Sequence, residues 1–182
     1  MGSGVGKFVL VAAAEVPDVC FVGVEQRPRL VEIAERARRQ LELSNALFVT
    51  AEATSSSWRS FDGFYFFNPF AENLFTDGEQ LDDDVERTES RFRREIVRAE
   101  HALREARLGT VVVTYHGMSG PMPACYELAE NVRAGSDWLR SWVKTHELAE
   151  GFYLDCGDEV VLHRAAPARP PTAFDPLRRG TG

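Results

Sequence analysis

The chain is 182 residues long and is poor in several things that would have narrowed its function at once. It has three cysteines (Cys20, Cys125 and Cys156), odd in number and far apart, and with the four histidines they show no zinc-ligand spacing. No metal is therefore expected, and Cys20, inside an apolar run, reads as a small buried hydrophobe. No stretch approaches the roughly 18 apolar residues that cross a bilayer, so no membrane contact is expected. The chain does not open on a basic stretch followed by an apolar core, as a secretory signal would. It also lacks positive charge: Lys and Arg number 21 against 28 Asp and Glu, for a net charge of -7. That balance argues against a dedicated nucleic-acid binder while leaving room for a basic groove on one face. The composition, 44% hydrophobic and 27% charged, is that of an ordinary globule. These features predict a reduced, cytoplasmic protein with one sizeable core. They say nothing of its oligomeric state.

What is present alternates between helix and strand signals. Residues 7–15 predict a helix, with Phe8, Val11 and Ala12 at helical spacing and Pro17 as the stop. Residues 19–25, VCFVGVE, form a near-continuous apolar run of strand length, as in a strand buried on both faces. An amphipathic helix follows over 27–43, with Leu30, Ile33, Ala34, Ala37 and Leu41 as its stripe. Strands are predicted at 46–52 and 63–67, the second stopped by Asn68-Pro69, with a polar loop or short helix at 54–58 between them. A long charged helix covers 82–109, acidic at its start, arginine-rich at its end and closed by Gly109. The next strand is 110–117, residues 118–128 read as loop, and strand signals return around 138–145 and 152–164. A domain over 1–164 is expected, with a disordered Pro-, Arg- and Gly-rich tail at 165–182. The alternation implies an α/β, Rossmann-like, mostly parallel sheet with helices on both faces and antiparallel strands near its C-terminal end. Ligands of such sheets sit at the carboxyl ends of the strands.

Gly2, Gly4 and Gly6 open the chain as a loop suited to a nucleotide. A phosphate-binding P-loop does not fit, because its first glycine would fall on Met1 and Phe8 stands where the magnesium-ligating hydroxyl belongs. A dinucleotide loop of the Gly-x-Gly-x-x-Gly kind fits imperfectly, since the third glycine comes one residue early and Lys7 takes its place. A third reading rests on four motifs in order: GSGVGKFVL, FVGVE ending in an acid, VTAEA and FYFFNPF. Together they resemble the consecutive motifs of class I S-adenosylmethionine-dependent methyltransferases, from Gly2 to about Tyr115.

The resemblance implies S-adenosyl-L-methionine as cofactor, held by the loop Gly2, Ser3, Gly4 and Gly6. Glycines there let the backbone approach a bulky ligand. Glu25, at a strand end, is suited to accept both ribose hydroxyls; alternatively it is a solvated strand end. Gln26 and Arg27 then lie beside the ribose or simply open the helix. Glu52 and the amide of Ala53 are implied to meet the adenine edge, unless Glu52 is an ordinary loop acid. Asn68-Pro69-Phe70 resembles, with one residue displaced, the tetrapeptide with which amino-methyltransferases hold a planar nitrogen. Asn68 is thus both the candidate catalytic residue and a cofactor neighbour, against the plainer reading of a strand cap. His116 could serve as a base but reads more simply as a loop residue. Trp58 and Phe64 to Phe67 read as core.

The activity implied is methyl transfer to an unidentified acceptor, with nitrogen on a protein, nucleic acid or small molecule as one candidate. An inactive or non-catalytic piece of the same fold and an NAD-dependent oxidoreductase are the alternatives. The resemblance also implies a strand directly before the glycine loop, in mid-sheet between the strands at 19–25 and 63–67. No residues are available for it here, so a gap is expected in the centre of the sheet, and with it a truncated reading of the gene.

Overall fold

A computed structural model describes residues 2–55, 57–74, 85 and 88–148, and the predicted strand at 152–164 and tail at 165–182 lie outside the described residues. Three helices, α1 (Lys7–Glu15), α2 (Pro28–Gln40) and α3 (Glu89–Glu105), accompany six strands. These are β1 (Phe21–Glu25), β2 (Ala46–Thr50), β3 (Gly63–Phe67), β4 (Val111–Tyr115), β5 (Tyr126–Ala134) and β6 (Asp137–Lys144).

The strands form two pieces. β1 pairs in parallel with β2, Phe21 opposite Ala46 through Glu25 opposite Thr50. The second piece has the order β3-β4-β6-β5. In it β3 runs parallel to β4, Gly63 opposite Val111, and the β5–β6 hairpin joins antiparallel with a bulge at Leu128 and Glu130. Among the described residues no strand pairs with the inner edge of β1 or of β3, which is the expected central gap. Side chains span it. The ring of Phe8 on α1 stacks on Tyr65 of β3, centroids 3.7 Å apart and nearly coplanar.

Each piece has its own apolar packing. Over β1 and β2, Val9, Leu10 and Ala13 of α1 meet Val31 and Ala34 of α2 and Phe48 of β2. The buried faces differ from those predicted: Phe8 and Val11 are exposed on α1, as are Ile33 on α2 and Leu41 at its C-cap. α1 is apolar almost all round, so period alone could not choose its inner face. Cys20, expected to be buried, is exposed, because it precedes the first paired residue of β1.

On the other piece Trp58 is buried against Phe64 and Phe66, and its indole nitrogen donates to the Ala53 carbonyl at 2.9 Å. α3 buries Glu95, Ala99 and Leu103, one turn apart, on a single face. Its described part starts at Glu89, with the Thr88 hydroxyl capping the Arg91 amide, and residues 82–84, 86 and 87 of the predicted helix lie outside the described residues. The buried Lys144 ammonium closes its other end by donating to the carbonyls of Arg104 and Ala106. Residues 126–134 are a strand, though the sequence predicted loop at 126–128 and assigned nothing to 129–134, since nearly the whole of β5 faces solvent and shows no alternation. No helix among the described residues is long and apolar enough to cross a membrane.

Candidate cofactor site

The carboxyl ends of β1, β2 and β3 surround a cavity of about 440 Å³. Its wall includes Gly2, Gly4, Glu25, Gln26, Glu52, Ala53 and Asn68, so seven of the predicted site residues converge from four separate segments. Ser3 and Gly6 do not reach that wall.

The glycine loop divides by function. Gly2 and Gly4 have φ of 64° and 55°, and a Cβ on either would meet nothing within 4 Å. There glycine serves a left-handed backbone beside open space. Gly6, φ 81°, caps α1, and a Cβ on it would fall 2.5 Å from the Phe48 ring. Its role is close packing of loop on sheet. Ser3 donates its amide to the Val24 carbonyl at 3.0 Å, fastening the loop to the inner edge of β1. Its hydroxyl is buried without a hydrogen-bond partner.

Glu25 is 5% exposed, which removes the reading of it as a solvated strand end. One carboxylate oxygen accepts from the Gly4 amide at 3.0 Å, the other from the Arg27 amide at 3.1 Å. Each oxygen keeps a second lone pair, so the pair can still accept two ribose hydroxyls. Arg27 is equally buried, and its guanidinium lies 3.8 Å from Glu25 and donates to both oxygens of Glu72, at 3.2 and 3.0 Å. Gln26 donates to Glu72 at 2.7 Å and accepts from Arg91 at 2.8 Å.

Below Ala53, which starts a short 3₁₀ turn (Ala53–Ser55), two carboxyls meet. Glu95 is buried, and burial, with the hydrogen bond and charge of Glu52, raises its pKa above the ordinary 4.5. The pKa of Glu52 is lowered, first by the hydrogen bond from Glu95 and then by the charges of Arg91 and Arg98. Of the two, Glu95 holds a proton more readily and Glu52 loses one more readily.

At the carboxyl end of β3, Asn68 (φ 43°) and Phe70 (φ 65°) are both left-handed. Asparagine tolerates that conformation, whereas for a phenylalanine it is an outlier of the kind that clusters at functional sites. Beyond them a 3₁₀ turn, Ala71–Leu74, carries Glu72 into the network. Ser119, after β4, donates to the Pro69 carbonyl at 2.9 Å and braces the loop. Phe67 is exposed rather than core, and it contacts the rings of Tyr115 and His116. His116 in turn meets the Asp137 carboxylate through its Nδ1, and the pKa of Asp137 is lowered chiefly by the Trp138 amide. No cluster of His, Cys, Asp or Glu suited to a metal occurs among the described residues.

Glu72, Arg91 and Glu95 were not named from sequence as parts of the site, whereas Arg27 was read as lying beside the ribose or opening the helix. Glu72 lies 45 residues from Arg27, and only folding joins them.

No family model matches the chain. Over 62 residues it is 40% identical to a tRNA (guanine-N(7)-)-methyltransferase of Prochlorococcus marinus (strain NATL1A), a match covering 33% of this chain and 29% of that protein. Over 56 residues it is 46% identical to the enzyme of the same name from Synechococcus sp. (strain JA-3-3Ab), covering 31% and 24%. The chain therefore spans less than a third of the curated relatives it matches. In structure it is similar to an RNA methyltransferase from Salinibacter ruber in complex with S-adenosyl-L-homocysteine, with a TM-score of 0.56, 18% identity, and coverage of 82% of this chain and 81% of that one. The fold is that of the class I S-adenosylmethionine-dependent methyltransferases, without its central strand among the described residues.

Proposed function

We propose that the protein is a methyltransferase that uses S-adenosyl-L-methionine and delivers the methyl group to a nitrogen acceptor. The observation that carries this reading is Glu25: a buried carboxylate at the end of β1, gripped by the glycine-loop amide of Gly4 and facing a cavity of nucleoside size. Glu25 would accept the ribose hydroxyls, and Gly2 and Gly4 would bring backbone close to the methionine part. Glu52 and the Ala53 amide would meet the adenine, and Gln26 would flank the sugar. The cofactor supplies a methyl group already activated on its sulfonium, so the protein's task is alignment and exclusion of water. Asn68 at the cavity wall offers a carbonyl to an amino hydrogen, and Phe70 follows it in the same loop. The relatives' names make guanine in tRNA the first acceptor to test.

A second reading has one observation in its favour. Among the described residues no strand pairs with the inner edge of β1 or β3, which suits a non-catalytic or inactive piece of the fold, because the glycine loop is then held by the Ser3–Val24 and Gly4–Glu25 bonds rather than by a paired strand. Calorimetry with S-adenosylhomocysteine and with NAD separates the possibilities. Binding of the first supports the methyltransferase reading, binding of neither the inactive piece, and binding of NAD alone an oxidoreductase. Methyl transfer from labelled cofactor to tRNA, protein and small-molecule pools then identifies the acceptor.

A further inference from the structure

Arg27 is buried to 5% exposure beside two carboxylates, at the seam between the two strand pieces. A charge removed from water this far is costly, and its pairing seldom returns more than a well-packed apolar residue would. Stability alone therefore does not account for an arginine here. Its geometry does point to a use. The backbone amide of Arg27 holds one oxygen of Glu25, and its guanidinium lies against the same oxygen. The same guanidinium nitrogen donates to both oxygens of Glu72, which Gln26 also holds. Glu25 belongs to β1, whereas Glu72 follows Asn68 and Phe70 on the loop after β3. Between these strands the described residues form no backbone ladder. The two donors to Glu72 thus replace, at the mouth of the cavity, a connection that the sheet does not make.

Resting on the methyltransferase reading, we infer that Arg27 is a positioning residue for the ribose carboxylate, and that Glu72 holds its guanidinium in place beside that carboxylate. Arginine suits this because its guanidinium is rigid and keeps its charge when buried, so one nitrogen lies between Glu72 and Glu25 in a fixed direction, which a flexible lysine holds less well. When Arg27 is neutralised, Glu25 loses its lateral support and samples other rotamers, so the hydroxyls of the ribose meet a less ordered acceptor.

The test is calorimetry on the full chain and on Arg27→Met, Arg27→Lys and Glu72→Gln. The probes are S-adenosylhomocysteine and its 2′,3′-dideoxyribosyl analogue, with a thermal melt for every variant. Arg27→Met is expected to weaken S-adenosylhomocysteine about tenfold, and Glu72→Gln roughly threefold, while Arg27→Lys recovers part of the loss. Affinity for the dideoxy analogue should barely differ among the folded variants, since it has no hydroxyls for Glu25 to hold. A loss equal for both probes would assign Arg27 to structure and overturn the inference, as would unchanged affinity for S-adenosylhomocysteine. If Arg27→Met does not fold, Glu72→Gln and Arg27→Lys decide by the same comparison. Failure of the parent chain to bind S-adenosylhomocysteine would overturn the methyltransferase reading and this inference with it. Binding by the parent with indifferent variants would sink the inference alone.

Discussion

Replacing single glycines by alanine should separate the part of the N-terminal loop that binds from the part that packs. At Gly6 two costs combine. A non-glycine residue in the left-handed region loses about 1–2 kcal/mol. The new Cβ would also fall 2.5 Å from the Cζ and 2.6 Å from the Cε1 of Phe48, and 3.0 Å from the Cβ of Ala34. Phe48 cannot swing clear, because Gly23 meets the same ring from β1, where a Cβ would fall 2.5 Å from its Cδ1. Overpacking of this kind costs about 1–3 kcal/mol, so Gly6→Ala should destabilise by roughly 3 kcal/mol. For a chain of this size that is a fall of about 6–12 °C in melting temperature. Gly23→Ala has the clash without the backbone strain and should lose about 1–3 kcal/mol. Gly4→Ala has the strain without the clash, about 1–2 kcal/mol. Its effect should appear instead in cofactor affinity, because Gly4 lines the cavity and its amide holds Glu25. Thermal and urea denaturation, with S-adenosylhomocysteine calorimetry on each variant, give both quantities. In a Phe48→Leu background the cost of Gly6→Ala should shrink, since the ring that it strikes is gone. Equal destabilisation by Gly4→Ala and Gly6→Ala would refute the division, as would a Gly6→Ala penalty that ignores the residue at 48.

Glu25→Ala should weaken S-adenosylhomocysteine by about 1.5–3 kcal/mol, the scale of hydrogen bonds to a charged acceptor, and unchanged affinity in a folded variant would remove Glu25 from the ribose. Asn68→Ala should lower turnover more than cofactor affinity, whereas Asn68→Gly keeps the left-handed backbone and isolates the side chain; activity equal to the parent in both would leave Asn68 a strand cap. Phe70→Ala should act on acceptor KM if the ring stacks on substrate and on melting temperature if it only packs. Because the pKa of Glu95 is raised in the fold, the native state binds more protons than the unfolded chain above pH 4.5, and the contribution of Glu95 to stability falls as pH rises through its folded value. Glu52, with a lowered value, contributes in the opposite sense, and its share is lost on acidification below 4.5. Glu95→Gln should therefore gain stability relative to the parent as pH is raised from 4.5 to neutrality, and parallel melting profiles for the two proteins would contradict the assignment of the proton to Glu95.

Much of this molecule is written locally. The period of the apolar residues marked α1, α2 and the strands, and Pro17 and Asn68-Pro69 marked their ends, because those signals act between residues a few positions apart. The order of glycine loop, strand-end acid, second acid and NPF loop placed Glu25, Glu52 and Asn68 at strand carboxyl ends, and strand ends of a parallel sheet are neighbours in space. That β1 and β3 do not pair directly was also legible, from the order of the motifs.

Tertiary structure decided what depends on partners far apart in the chain. Gly6 and Gly4 are equivalent in sequence, yet one faces Phe48 and the other a cavity. Which face of α1 is buried was settled by the sheet beneath it, since the helix is apolar on several sides. β5 faces solvent along most of its length, so pairing with β6, not burial, makes it a strand. The joining of Arg27 to Glu72, and of Glu52 to Glu95, has no sequence signal at all. An ion pair across 45 residues, or a carboxyl pair across 43 whose members shift each other's pKa, exists only once the segments that carry its members have been brought together.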